Sequence, residues 1–288
     1  MQCRRNEMIA LEDEFGDVIR KARSGLGLEV ASVATACGLT ERDVKSMEVY
    51  TRRPSDLEVD RLASTLGLRA SALRALASET ISAPDGPWQV GDLTVHRETT
   101  HYPSHCYLIG LPGGACAIVD PGDNDVVDAI ASAARQSGKH PVAILVTHGH
   151  HDHTGGVVAL QKELGVPVHI HEADAASVEG VPATALQTFD DEGIHVAIEG
   201  LSWRALPTPG HTAGSTTFVF TSGSAGAGFC GDTLFAGSAG SARAGYDRHL
   251  ESLRKRLATL PPQTVLYPGH GPATTVGDEC VHNPFFPA

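Results

Sequence analysis

Four segments of the chain concentrate side chains that bind metal ions: Thr147-His148-Gly149-His150-His151-Asp152-His153-Thr154-Gly155-Gly156, Pro209-Gly210-His211-Thr212, Gly231-Asp232-Thr233 and Pro268-Gly269-His270-Gly271. Five imidazoles and two carboxylates, from His148, His150, Asp152, His153, His211, Asp232 and His270, make a nitrogen and oxygen donor set with no thiolate in it. Zinc, iron and manganese accept such donors, and the set is large enough for two ions to share. Two divalent ions lower the pKa of a bridging water from about 15.7 toward roughly 7 and so supply hydroxide at neutral pH. The chemistry implied is metal-assisted hydrolysis with that hydroxide as nucleophile. Asp152 and Asp232 are the carboxylates at the reacting centre, Asp152 as a ligand and not as a general base.

The elements that must position these residues are short strands. Val142 to Val146 is an apolar, β-branched run that reads as a buried strand opening into the His cluster. Gly155-Gly156 follows, then a helix from Val157 to Leu164, so the cluster sits on a tight loop between strand and helix. His211 comes after the strand-like Leu201 to Leu206 and before Thr216 to Phe220, while Asp232 and His270 follow Gly228 to Cys230 and Val265 to Tyr267. Further strands are expected near Leu93 to Glu98, Cys106 to Gly110 and Ala115 to Val119, with a helix from Val126 to Gln136. The loop His101-Tyr102-Pro103-Ser104-His105 is expected near the mouth of the site, solvated. An isolated His is usually structural, which is the reading for ten of the fifteen His. His151, inside the motif, is expected to face away.

These motifs resemble those of the metallo-β-lactamase superfamily, with its H-x-H-x-D-H signature and downstream His, Asp and His, over about the last 200 residues. The resemblance implies an α/β fold, a four-layer αββα sandwich. It also implies that His148, His150 and His211 hold one metal and Asp152, His153 and His270 the second, with Asp232 bridging them. Two divalent ions follow, zinc first, with iron or manganese as alternatives. The stretches Gly231 to Ser238 and Pro268 to Thr275, with Asn283-Pro284-Phe285, are similar to compact glyoxalase II-like (hydroxyacylglutathione hydrolase-like) thioester hydrolases. A small acyl thioester is the substrate this implies.

The chain departs from its look-alikes in places that bear on substrate. Glyoxalase-like and persulfide dioxygenase branches often carry Gly-Arg-Thr-Asp after the bridging Asp, where this chain reads Gly240-Ser241-Ala242-Arg243-Ala244-Gly245-Tyr246-Asp247. Longer glyoxalase II enzymes add a helical C-terminal domain that helps to bind glutathione, whereas eighteen residues follow His270 here. The 38 positions from Asp232 to His270 leave no room for the large insert of superfamily nucleases. The best-known zinc β-lactamases place a Cys ligand where this chain has Asp232. Persulfide dioxygenases resemble the same scaffold with one iron on two His and a carboxylate, here His148, His211 and Asp232, so that chemistry stays open.

Residues 1–80 read as a separate helical bundle, with helices over Phe15 to Arg23, Val30 to Ala36, Glu41 to Glu48, Leu57 to Leu66 and Ser71 to Ala77. Thr40 is placed to cap the third. The order, with Gly38-Leu39-Thr40 and Arg53-Pro54-Ser55, resembles the helix-turn-helix domain of phage repressor-like regulators, which directs Thr40, Glu41, Arg42 and Lys45 toward DNA. Twelve Lys and Arg against thirteen Asp and Glu give this part no basic footprint. The expectation is weak DNA binding as a homodimer, with a dimerisation or docking module as the alternative. A transcription regulator sensing through the metal domain is the alternative to an enzyme. Met1 to Glu14 reads as polar and partly disordered.

The organisation is therefore 1–80 helical, 81–87 linker through Ser82-Ala83-Pro84-Asp85-Gly86-Pro87, and 88–288 catalytic. Net charge is −12, and residues 81–288 carry ten basic against twenty-one acidic groups, which argues against polyanionic substrates there. Six Cys without a C-x-x-C pair fit reduced thiols. No apolar run approaches a membrane span and the N-terminus lacks an apolar signal region, so a cytoplasmic protein without a membrane partner is expected.

Overall fold

Period-two burial along the later strands builds two sheets that pack face to face. In Leu201–Pro207, for example, Leu201, Trp203 and Ala205 are buried while Ser202 and Arg204 turn outward. The computed structural model describes residues 8–286. One sheet has seven strands in chain order, Gln89–Val90, Leu93–Thr99, His105–Gly110, Ala115–Val119, His140–Leu145, Val168–His171 and Leu186–Phe189. The other has six, Ile194–Ile198, Leu201–Pro207, Thr216–Ser222, Ala225–Gly231, Val265–Pro268 and Thr274–Thr275. Trp203, Phe218, Phe220, Phe229 and Tyr267 fill the space between them, with Phe229 and Tyr267 stacked at 4.9 Å.

Parallel neighbours require a crossover, and the crossovers supply the outer layers. Helices Asp125–Gln136 and Val157–Leu164 link successive parallel strands and cover the outer face of the seven-stranded sheet. Tyr246–Glu251, the turns through Thr259, and Val276–His282 cover the other sheet. The result is a four-layer αββα sandwich as expected, with the strands and helices within two residues of their expected ends except Ala225–Gly231, which begins three residues before the expected Gly228.

Five helices precede it: Phe15–Gly25 (α1), Val30–Cys37 (α2), Glu41–Glu48 (α3), Asp56–Leu66 (α4) and Ala70–Ala77 (α5). Gly38, at φ 66°, ends α2 in a left-handed cap. Thr40 then caps α3: its Oγ1 accepts from Asp43 N at 3.1 Å and Asp43 accepts from Thr40 N at 3.0 Å. The helices bury Val18, Ile19, Val44, Met47, Leu62 and Leu73, but this core is continuous with Leu253, Leu257, Leu266, Val276 and Phe285 of the sandwich side. Arg69 N donates to Pro284 O at 2.8 Å across that junction.

The expectation of disorder over Met1 to Glu14 needs correcting. Residues 1–7 lie outside the described residues, yet Met8–Ile9 pairs antiparallel with Ala83–Pro84, inside the expected linker. Asp13 is buried, pairs with Lys21 and accepts from Ser238 Oγ at 2.6 Å, which anchors the segment. Among the described residues no helix is long and apolar enough to cross a membrane.

Candidate metal centre

One parallel strand pair in each sheet delivers the site. His148 follows His140–Leu145, while Asp232 and His270 follow the parallel pair Ala225–Gly231 and Val265–Pro268. A bond from Thr216 N to Thr147 O, 2.8 Å, ties the sheets together beside it. The stretch expected as a tight loop contains a one-turn helix, His151–Thr154, which begins directly after His150. That turn buries His153, leaves His151 exposed against the Tyr102 ring at 5.9 Å, and separates the two.

All seven expected ligands converge. His150 Nδ1 lies 3.0 Å from His148 Nε2 and 2.9 Å from His211 Nε2, forming one group. His270 Nε2 and His153 Nε2 lie 3.2 and 3.5 Å from Asp152 Oδ2, forming another. Asp232 stands between them, Oδ2 3.5 Å from His211 Nε2 and Oδ1 3.4 Å from His153 Nε2. Four donors about 2.1 Å from one ion stand roughly 3.4 Å apart, so these separations suit metal ligation. His153 Nε2 and Asp232 Oδ1 are buried with no hydrogen-bond partner among the described residues, as expected of atoms that face a cation. The donor set therefore fits two ions. Thr40, Glu41, Arg42 and Lys45 are exposed on α3 and take no part in it.

The outward-facing ring nitrogens are held by Thr147, a hydroxyl that the sequence offers beside the motif, and by Asp120 and Ser241, which sequence reasoning does not single out as supports. Asp120, buried after Ala115–Val119, accepts from Thr147 N at 2.7 Å, Thr147 Oγ1 at 2.6 Å and His153 Nδ1 at 2.9 Å. Thr147 Oγ1 in turn accepts from His148 Nδ1 at 3.1 Å. One carboxylate thus orients an imidazole in each group. Asp120 shares the ligands' position at a strand end, which is the signal that could have found it. His211 Nδ1 donates to Ser241 O at 2.8 Å, so the departing stretch after Gly240 supports a ligand through its backbone.

Thr212 and Ser215 act at one remove from the ligands, Ser215 Oγ accepting from Thr212 N at 2.9 Å. Thr212 Oγ1 donates to Asp174 Oδ2 at 2.6 Å, and the same carboxylate accepts from Gly149 N at 2.8 Å and Gly214 N at 3.2 Å. His105 is buried and not solvated as expected: its Nε2 donates to Gly271 O at 2.9 Å, beside His270. Gly269 has no room for a side chain, since a Cβ there would strike Asp232 Oδ1 and the His153 ring.

Burial holds His148 well below the ordinary imidazole range and His211 down to about 4, so both are neutral and able to ligate at pH 7. Burial, then Arg243, lowers His150 as well. Burial alone would also lower His153, but Asp232, Asp120 and Asp152 raise it well above the ordinary value. Burial likewise opposes ionisation of Asp232, but His153, His148 and His211 outweigh it and hold that carboxyl far down.

Fold and site together define a sandwich that gathers two ligand groups at the common edge of its sheets. The chain belongs to the metallo-β-lactamase superfamily, whose model matches residues 99–270. It is 38% identical over 159 residues to the hydroxyacylglutathione hydrolase of Pseudomonas entomophila, covering 54% of this chain and 56% of that one. The chain thus spans little more than half of that relative. It is 29% identical over 203 residues to the hydroxyacylglutathione hydrolase GloC of Haemophilus influenzae, covering 65% and 94%. Among solved structures, TTHA1623 in a di-iron-bound form is 31% identical with TM-score 0.50, covering 69% of this chain and 96% of that one. ETHE1 from Myxococcus xanthus is 25% identical with TM-score 0.56, covering 66% and 83%.

Two measurements probe this geometry. Asp120→Asn keeps the shape of the side chain but removes one acceptor from the relay, so zinc affinity should fall about 10- to 100-fold by chelator competition. Unchanged affinity would remove Asp120 from this role. The second concerns acid. Burial holds His169, His211 and His249 down to about 4 and His105 to about 3. These rings stay neutral when folded and protonate on unfolding below about 6.5, so their contribution is present above that pH and is lost as pH falls toward 4. His153 and His270, whose values are raised in the folded chain, act in the opposite sense, their contribution growing as pH falls through about 6.5, and so they offset part of this loss. The urea midpoint of metal-free protein should therefore drop between pH 7 and 4.5, by on the order of a few kcal/mol in stability, whereas equal midpoints would contradict neutral burial.

Proposed function

We propose that the chain is a metal-dependent thioester hydrolase of glyoxalase II type. The observation that carries this reading is the pair of donor groups joined by Asp232, whose two oxygens face different groups. The named hydroxyacylglutathione hydrolases among its relatives support the thioester as substrate class. When bound, two divalent ions, zinc in our reading, supply hydroxide at neutral pH and polarise an acyl carbonyl. Asp152 is engaged by His153 and His270 and so holds position instead of moving a proton. A thiolate leaves without obligatory protonation, so the geometry does not require a general acid. Arg243 is exposed within electrostatic reach of His150, and Tyr102 is exposed beside His151, which places one cation and one ring at the opening.

Thiol release from a panel of acyl thioesters, including lactoyl-glutathione, should be catalysed by zinc-loaded protein, with Asp232→Ala slower by at least about 100-fold. Release by neither protein, together with oxygen uptake by iron-loaded protein and a persulfide, would replace this reading with a mononuclear dioxygenase using His148, His211 and Asp232. The likeness to ETHE1 favours that as the second reading.

For the bundle we propose weak, dimer-dependent DNA contact through α3, where Thr40, Glu41, Arg42 and Lys45 are all exposed. Thr40 Oγ1 is shared with Asp43 at 2.6 Å and Lys45 pairs with Glu41 at 3.3 Å, so Arg42 carries most of the expected contact. A mobility-shift titration should show tighter binding to the gene's own upstream region than to random duplex, weakened by Arg42→Glu. Equal affinity for both duplexes would discard DNA reading. Ligand-dependent DNA affinity without any turnover would make the chain a sensor instead of an enzyme.

A further inference from the structure

The loop that carries Arg243 is fixed to the metal centre by its backbone. Gly240 runs against Asp232, where a Cβ would stand 1.9 Å from Asp232 O and 3.0 Å from His211 Nδ1. Ser241 O accepts from His211 Nδ1 at 2.8 Å and from Arg243 N at 3.0 Å, and Ala244 N donates to Gly210 O at 2.8 Å. Bonds on both sides of Arg243 therefore tie it to the turn that presents His211. Its side chain is exposed, and of the charged groups that act on His150 it acts most strongly, ahead of Asp232 and Asp152. Two other cations near the centre are already paired: Arg97, which acts on His105, lies 2.8 Å from Asp85, and Lys21, which acts on His249, pairs with Asp13. Arg243 has no ion pair and no side-chain hydrogen bond among the described residues.

We propose that Arg243 anchors a carboxylate of the substrate, so that the chain selects thioesters carrying one negative charge within a few bonds of the reacting carbonyl. A guanidinium presents paired N–H donors that match a carboxylate, and such charge-assisted bonds are stronger than neutral ones. Asp152 and Asp232 do not compete for it, because His153, His270 and His211 engage them. The surroundings limit the charge to one. Glu12 lies on the side of the other donor group, within electrostatic reach of His270 and Asp232, and Asp247 is exposed four residues after Arg243. Residues 81–288 carry ten basic against twenty-one acidic groups, so a phosphate dianion or a longer polyanion meets net repulsion. This selectivity rests on thioester hydrolysis as the reaction at the metal centre.

Calorimetric titration of the zinc-loaded full chain with 3-mercaptopropanoate and with the isosteric 3-mercaptopropanamide reads the contact without turnover. The acid should bind at least about fivefold more tightly than the amide. In Arg243→Gln, with zinc content unchanged, that ratio should fall to about one, and Arg243→Lys should recover part of it. Where the glutamine variant loses zinc, Arg243→Ala makes the same test. Comparison of kcat/KM then locates the carboxylate: glutaryl against pentanoyl N-acetylcysteamine reads the acyl group, and pentanoyl thioesters of the same acid and amide read the thiol. A preference for the charged member of one series, lost in Arg243→Gln, is expected. Equal affinity of the unaltered chain for acid and amide, an acid preference that survives in Arg243→Gln, or turnover of both series without preference would each overturn the proposal. Arg243-dependent binding of the acid by a chain that hydrolyses no thioester would instead overturn the thioesterase reading and leave the carboxylate contact standing.

Discussion

Five imidazoles and two carboxylates meet at one edge of the sandwich with donor atoms 2.9 to 3.7 Å apart, an assembly that is unfavourable unless positive charge lies among them. The His153 and His270 rings stand between Asp152 and Asp232, and the two carboxylates raise both imidazoles above their ordinary value. The rest of the site can be understood as the means of keeping these groups together. Strand ends fix their backbones, Gly269 lets Asp232 and His153 close up, and Asp120, Asp174 and Ser241 O hold what would otherwise rotate or drift apart.

The N-terminal helices belong to the same physical unit. Their apolar side chains share one continuous cluster with the helices covering the six-stranded sheet, so the bundle has no closed core of its own. Polar contacts reinforce this: Lys21 lies over the Phe235 ring at 4.9 Å, and Phe235 meets the His270 ring edge-on at 5.8 Å. Asn283 donates to Ser238 O and to Glu279, whose carboxyl burial pushes up to about 7. The tail and the bundle therefore grip the same loop, the one that leads away from Asp232.

Much of this was legible in the chain. The ligand residues stand out because each follows an apolar run and most are flanked by glycine, and the helices of the bundle show their caps and period. Position at a strand end is not sufficient, however. His171 also ends a parallel strand, yet it packs edge-on against Phe189 at 5.6 Å, away from the ligand groups. Asp174 carries no local signal, because its role arises only when residues 149, 212 and 214 are brought to it in space. His105 sits in a polar-looking stretch, and only its pairing opposite Thr99 in a strand carries it inward. The open core of the bundle was equally invisible, since periodicity shows that a helix has an apolar face but not which partner covers it.

The division of the donors between the sheets sets an order of events during synthesis. His148, His150, Asp152 and His153 leave the ribosome early, but their partners Asp232 and His270 belong to strands formed more than 70 residues later. A nascent chain thus presents an incomplete cluster, two carboxylate oxygens and an imidazole short of closure. Completion of the group that needs His270 waits until Val265–Pro268 has aligned beside Ala225–Gly231, the parallel pairing that bridges the longest stretch of intervening chain in that sheet.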